Sequence, residues 1–405
     1  MKFDVIVVGA RCAGAATAML LARCGARVLL VDRGAYGTDA LSTHALMRGA
    51  VLQLRRWGVL PAIPAAGTPA VRSTTFSYTG HDVTVPIEPR FDVAELYAPR
   101  RMLLDRVLVD AAANSGVELR YGVRVQDVVK DARGQVRGLV ATDGRTAYEI
   151  EAALVIGADG LHSTIAERVG AEKVVQGRYA TGTLYSYWEG LPVDGYYWRF
   201  QTGASLGAIP TNDGATCVFV SVPSTRFGDE VRGDKASAYR RLLHRASSAF
   251  EARLDGARMV ESIRGFSGQP GFIRRSSGPG WALVGDSSYF KDTLTAHGIT
   301  DALCDAELLS RAVVAGTTQA FADYEKTRHD LSRRLFEVTD EIASLDWTDE
   351  RVQSLHRAFS FEMSREVRAL AALEPLPCWC TPSTWRGCEL RAAKAPRRNR
   401  RFDTR

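Results

Sequence analysis

The sequence predicts an α/β fold: a discontinuous Rossmann-like domain, an antiparallel β-sheet domain inserted into it, and a helical C-terminal segment. Three observations carry this prediction. An apolar strand, a glycine-rich turn, an Ala/Leu-rich helix and a second strand ending in an acid fill residues 3–32. Buried-strand segments of the same kind recur at 147–156 and 281–284. Between them, residues 178–268 are rich in aromatic and β-branched types, with turn signals such as Val193-Asp194-Gly195 and Thr211-Asn212-Asp213-Gly214.

Taken in order, the strand Phe3 to Val8 runs into Gly9-Ala10-Arg11-Cys12-Ala13-Gly14, a helix, and a strand ending at Asp32. Glycines allow a tight turn close to a pyrophosphate, the helix N-terminus offers it free N–H groups, and Asp32 can accept from a ribose hydroxyl. Arg11 replaces the middle glycine of the usual pattern, so its side chain must leave the turn or lie along the phosphates. A polar turn (33–39) leads to Leu41-Ser42-Thr43-His44, where Ser42 and Thr43 read as caps of an amphipathic helix from 45 to about 58. Pro61, Pro64 and Pro69 end it. Strands are expected at 75–78 and 83–85, then a helix over 100–114 with Leu103, Leu104, Val107, Leu108 and Ala111 on one face. Further strands follow at 117–121, 123–129, 136–141 and 147–156, and a helix at 300–315. The chain stays helical and charged to about 373, then enters a Pro/Cys/Trp segment (375–388).

Length and charge set bounds on function. At 405 residues the chain exceeds a single core. Its domains are read as 1–75, 96–177 and 269–316 (dinucleotide binding), 76–95 and 178–268 (sheet), 317–390 (helical) and 391–405 (a basic disordered tail). That tail holds seven basic residues against Asp403, which accounts for the whole net charge of +6 and leaves the body near neutral. No nucleic-acid partner is therefore expected. Seven scattered cysteines without Cys-x-x-Cys spacing fit reduced thiols, with no disulfide framework and no metal site. No apolar run approaches the roughly 18 residues of a membrane span, and the first strand leaves no room for a secretory leader. The expected location is cytoplasmic.

Three motifs together resemble the FAD-dependent aromatic-hydroxylase monooxygenases, the family of para-hydroxybenzoate hydroxylase. They are the 3–32 unit, Gly157-Ala158-Asp159-Gly160-Leu161-His162-Ser163, and Gly285-Asp286 with its continuation Lys291 to Ala302. Arg101, with Leu104 and Leu108, matches the family's Arg-x-x-Leu-x-x-x-Leu. The resemblance implies that Gly9, Arg11, Gly14, Asp32 and Arg33 hold the ADP half of FAD and that Arg101 reaches the cofactor. Asp159 and Gly160 would lie near its pyrophosphate, Gly285 and Asp286 at the ribityl chain, and Gly298 and Ile299 under the isoalloxazine. The family commonly has Pro at 293 and Asn at 300, where this chain has Thr, and an arginine where it has Ala166.

The implied activity is reduction by NADPH or NADH, followed by oxygen transfer from dioxygen through a flavin C4a-hydroperoxide. The substrate would be an electron-rich aromatic or polyketide-like small molecule. Tyr185, Tyr187, Trp188, Tyr196, Trp198, Phe200 and Phe219 are candidates for a water-excluding wall. His44 and His297 are the histidines in flavin-side segments and are the candidate catalytic bases. An alternative is an isoprenoid double-bond reductase, whose family carries Tyr-x-Trp-x-Phe-Pro; Tyr196, Trp198 and Phe200 match it without the proline. A halogenase keeps less support, since only Ile209-Pro210 remains of its motif. The third alternative is a non-redox scaffold or cyclase that retains FAD.

Overall fold

The computed structural model describes residues 3–376; the Cys/Trp-containing stretch 378–388 and the basic tail lie outside the described residues. β1 (Phe3–Val8), α1 (Cys12–Arg23) and β2 (Val28–Asp32) form the first unit, with Val5 opposite Val28 in a parallel ladder. Ala15, Ala16 and Ala18 have no exposed surface, so α1 lies close on the sheet. α2 (Arg48–Arg56) starts later than the apolar pattern suggests, because Leu46 is drawn into a bridge with Tyr97. After α3 (Ala62–Ala65), the hairpin β3 (Ser73–Tyr78) and β4 (His81–Pro86) turns at Gly80, φ +81°. α4 (Arg101–Asn114) returns the chain to the first sheet, where β5 (Glu118–Tyr121) pairs with β2. β6 (Arg124–Lys130) and β7 (Val136–Thr142) are antiparallel; β8 (Ala147–Gly157) pairs first with β7 and then runs parallel to β1.

α5 (Thr164–Arg168) and β9 (Lys173–Gln176) lead to β10 (Thr181–Glu189), β11 (Tyr196–Gln201), β12 (Ala204–Pro210) and β13 (Thr216–Pro223). These four strands share a sheet with β3 and β4, antiparallel except where β11 runs parallel to β3. The expectation of a purely β insertion needs correction: α6 (Ser224–Glu230), α7 (Lys235–Ala246) and α8 (Ser248–Ala252) interrupt it. Ala238, Tyr239, Leu242, Leu243 and Ala246 fall at helical spacing and cover Leu206, Val218 and Val220 on the sheet's outer face.

β14 (Arg258–Met259) and β15 (Arg264–Phe266) both pair with β10. β16 (Phe272–Arg274) pairs with β9, while β17 (Ser277–Gly278) and β18 (Trp281–Leu283) rejoin the first sheet beside β8. β19 (Tyr289–Phe290) completes a small sheet with β16 and β9. α9 (Gly298–Ala315) packs on α1, and α10 (Thr318–Ile342) with α11 (Asp349–Ala371) forms a helical pair that closes over α2. The first sheet, in the order β17-β18-β8-β1-β2-β5, thus gathers segments almost 280 residues apart. Among the described residues, no helix is long and apolar enough to cross a membrane.

Candidate functional site

The turn after β1 is built for a close backbone approach. Gly9 has φ +106°, and a Cβ there would stand 2.4 Å from the Ala158 carbonyl oxygen; one on Gly14 would stand 1.8 Å from that of Gly9. α1 starts with no side-chain cap and no acid in its first turn, leaving its N-terminal N–H groups available to an anion. Arg11 is the N-cap; its exposed side chain leaves the turn toward the Asp39 carbonyl, 3.4 Å away. Asp32 accepts the N–H groups of Ala10 and Gly34, both at 2.7 Å, and borders a cleft with Tyr36, Arg106 and Tyr121. Arg33 is exposed just beyond it. These residues fit the adenosine and pyrophosphate of a dinucleotide.

A second group lies where β8, β18 and α9 converge. Gly285 (φ +63°) has room for no side chain, since a Cβ would lie 2.9 Å from that of Ala13. Its N–H donates to Asp305 at 3.0 Å. Asp286 makes no hydrogen bond among the described residues, and burial, then neighbouring Asp301, push its carboxyl up to about 6. The carboxylate is half-buried with its oxygens free to accept, which is what the hydroxyls of a bound polyol chain would meet. Arg101 is buried against Asp105 (3.0 Å to each carboxylate oxygen), which also accepts from the Cys12 thiol at 3.1 Å. Asp159 holds Ser163 Oγ (2.5 Å) and the Ile165 N–H (3.2 Å), so it fixes the start of α5, next to Gly160 at φ +81°. Before α9, Ala296 is left-handed (φ 49°) and the helix start is uncapped; Gly298 is exposed and Ile299 half-buried. That leaves an open backbone face with N–H groups suited to negative charge.

The two histidines sit in different surroundings. His44 is fully buried in a left-handed conformation (φ 70°), with its Nε2 against the Tyr187 hydroxyl and its Nδ1 without a partner among the described residues. Burial, then Arg100 and Arg101, push it down to about 3, so it is neutral. Ser42 does not cap α2 as expected: its hydroxyl accepts the His44 N–H at 3.0 Å, which supports the unusual backbone at 44. His297 is also buried, with Nε2 2.9 Å from Glu366 on α11 and 3.8 Å from Asp301, itself ion-paired with Lys291. His297, Asp301 and Glu366 place three ligand-type atoms within 4.8 Å of one another, with His297 Nε2 engaged by Glu366 and Asp301 paired with Lys291.

Strand alternation puts six of the seven aromatics expected in the wall on one face and corrects the seventh. Tyr185, Tyr187, Tyr196, Trp198, Phe200 and Phe219 share the core cluster that faces the first sheet's helices. Trp188 is on the opposite face of β10 and donates to Tyr239 under α7, as the two-residue period of a strand requires. Sequence reasoning left Tyr187 out of the acid–base set and missed Arg100 and Glu366; no local spacing relates them to the histidines, which lie 143, 56 and 69 positions away.

Fold and site together define an FAD-dependent oxidoreductase. Residues 2–338 match the FAD binding domain family, and the chain belongs to it. It is 28% identical over 338 residues to the menaquinone reductase of Mycolicibacterium smegmatis (78% of this chain, 77% of that one). It is 25% identical to the digeranylgeranylglycerophospholipid reductase of Methanothrix thermoacetophila, over 94% and 98% of the two chains. The structure of PqsL, a probable FAD-dependent monooxygenase from Pseudomonas aeruginosa, superposes with a TM-score of 0.70 over 90% of this chain and 100% of that one, at 18% identity. This likeness establishes the fold of the para-hydroxybenzoate hydroxylase-like flavoenzymes.

Proposed function

We propose that the protein is an NAD(P)H-dependent flavin monooxygenase that inserts oxygen into an electron-rich aromatic or polyketide-like molecule. The observation that carries this reading is the buried His44, hydrogen-bonded to the Tyr187 hydroxyl inside an aromatic wall. A bound FAD would supply the redox chemistry. Gly9, Gly14, Asp32 and Arg11 would hold its ADP half, Arg101, Asp159 and Gly160 would stand near the pyrophosphate, Asp286 would meet the ribityl hydroxyls, and Gly298 and Ile299 would support the ring. His44 and Tyr187 then act on the substrate: burial holds the Tyr187 hydroxyl protonated, and its oxygen takes a phenolic proton in the same step in which its own proton passes to His44 Nε2, as oxygen attacks. Tyr185, Tyr196, Trp198 and Phe200 exclude water, while His297, held by Glu366, is a second proton-handling group at the α9 start.

A second reading is the reduction of a carbon–carbon double bond in an isoprenoid-type chain. It is favoured by the shared face of Tyr196, Trp198 and Phe200 and by the names of the two relatives above. There Tyr187 would donate its proton to the alkene instead of accepting one. One experiment separates the two readings. The purified flavoprotein is reduced anaerobically with NADPH, mixed with oxygenated buffer, and followed by absorbance. A transient species between the reduced and oxidised spectra, prolonged by substrate, is expected; direct return to oxidised flavin would remove the oxygenase reading.

A further inference from the structure

We propose that Arg100, the residue before the cofactor-side Arg101, is the positioning residue of the His44–Tyr187 pair: its guanidinium fixes the phenol ring and sets a positive charge beside the imidazole. Arg100 is the N-cap of α4 at φ −50° and ψ 140°, so the backbone is extended there and turns helical one residue later. The change of direction sends adjacent side chains apart. Arg101 lies along α4 against Asp105, whereas the Arg100 guanidinium carbon sits 3.8 Å from the centre of the Tyr187 ring. It is held there from both sides, because its Nη2 donates to Asp39 at 3.2 Å and Glu261 at 2.6 Å. Arg264 closes the ring of charges, 2.7 Å from Asp39 and 3.1 Å from Glu261. The Arg100 Nε–H is buried without a partner among the described residues and is not used by these ion pairs.

The groups around the imidazole come from every neighbouring element. Arg100 and Arg101 approach from α4, Arg264 from β15, Asp39 from the loop after β2, and Tyr185 and Tyr187 from β10. Asp39 and Glu261 each pair with both Arg100 and Arg264, and Asp105 pairs with Arg101, so the arginines are held in place by carboxylates, of which Asp39 is the one that acts on the imidazole among its largest influences. A guanidinium stacked on the ring whose hydroxyl binds the imidazole opposes a further positive charge on that imidazole. Lysine is no substitute, since it has no planar face to lie on the phenol and no fork to span two carboxylates.

This inference rests on reading His44 and Tyr187 as the proton-transfer pair, so its test reads the imidazole directly. Protein labelled with 15N-histidine is titrated by long-range 1H–15N correlation as wild type, Arg100→Met and Arg100→Lys. The His44 signal is assigned by its loss in His44→Asn. In Arg100→Met the protonation midpoint of His44 is expected to rise by about one pH unit or more, with the acid limb of turnover rising alongside. In Arg100→Lys, which keeps the charge but removes the stack, the midpoint stays low while turnover falls. A midpoint in folded Arg100→Met equal to wild type overturns the proposal; if that variant does not fold, wild-type turnover in Arg100→Lys does so. Unchanged turnover in His44→Asn would instead remove the acid–base reading, while the titration still reports what Arg100 does.

Discussion

Arg101 runs along α4 to Asp105 and Cys12, on the cofactor side, while Arg100, one residue earlier and still extended, turns to the inserted sheet and stacks on Tyr187. The first belongs to a local pattern: its partner is four residues along the same helix, and Leu104 and Leu108 repeat at helical spacing behind it. The second belongs to none. Its partners Asp39, Tyr187 and Glu261 come from three separate stretches of chain. The proposed cofactor side is therefore written in short motifs, whereas the proposed proton-handling side is assembled only once the two sheets are packed together.

The comparison predicts different failures on the two sides. The largest effect is expected on the proton-handling side. His44→Asn retains a residue that tolerates the left-handed backbone at φ 70° and removes the imidazole. Substrate turnover should fall by about 10²- to 10⁴-fold with flavin content unchanged. Tyr187→Phe should fall with it, and a Tyr187→Phe enzyme of normal rate would leave His44 without its partner role. Smaller is the effect of Asp286→Ala on the cofactor side, where losing one charged hydrogen-bond acceptor should weaken FAD about 10- to 100-fold. Because its carboxyl is pushed up to about 6, the folded apoprotein holds a disfavoured charge at neutral pH. Flavin-free Asp286→Ala should therefore melt no lower than flavin-free wild type at neutral pH. Flavin retention through desalting at the wild-type level would end the ribityl assignment.

This contrast also sets how much could be read from sequence. The βαβ cradle, the β8 strand, β18 and α9 follow from apolar runs and glycines whose consequences are local. α6 to α8 were hidden because aromatic and β-branched residues on either side dominated the segment, although Ala238, Tyr239, Leu242 and Leu243 carry the helical spacing. Trp188 was grouped with Tyr185 by composition, but strand alternation places the two on opposite faces. Ser42 was assigned to a helix it does not cap; its hydroxyl serves the left-handed turn at His44, and nothing in Leu41-Ser42-Thr43-His44 announces a positive φ. The Glu366–His297 contact joins α11 to the start of α9 across 69 positions, beyond the reach of any motif.

The smallest expected effect tests a third, half-buried histidine, which separates packing from proton handling. His356 on α11 lies 4.1 Å from the Phe200 ring, centre to centre, and its Nδ1 is 2.7 Å from the Tyr78 hydroxyl. Burial alone pushes it down to about 3, whereas Arg100 and Arg101 add to burial at His44. A histidine depressed on folding binds fewer protons in the folded than in the unfolded state between its two pKa values. Stability is then complete above about 6.5 and declines as pH falls toward 3. Asp286 and Asp292, both pushed up to about 6 mainly by burial, act in the opposite sense, losing stability as pH rises from 3.8 toward 6. Their opposition blurs the whole-protein profile, so a single replacement is needed to isolate the histidine term. His356→Gln keeps an acceptor for Tyr78 and removes the titration. Between pH 7 and 5 it should lose about 1–2 kcal/mol less stability than wild type, read from urea unfolding at each pH, with turnover nearly unchanged. Parallel losses in the two proteins would show that His356 is not held neutral by the fold. A large loss of turnover would instead move the proton-handling region from the His44 side of the wall toward α11.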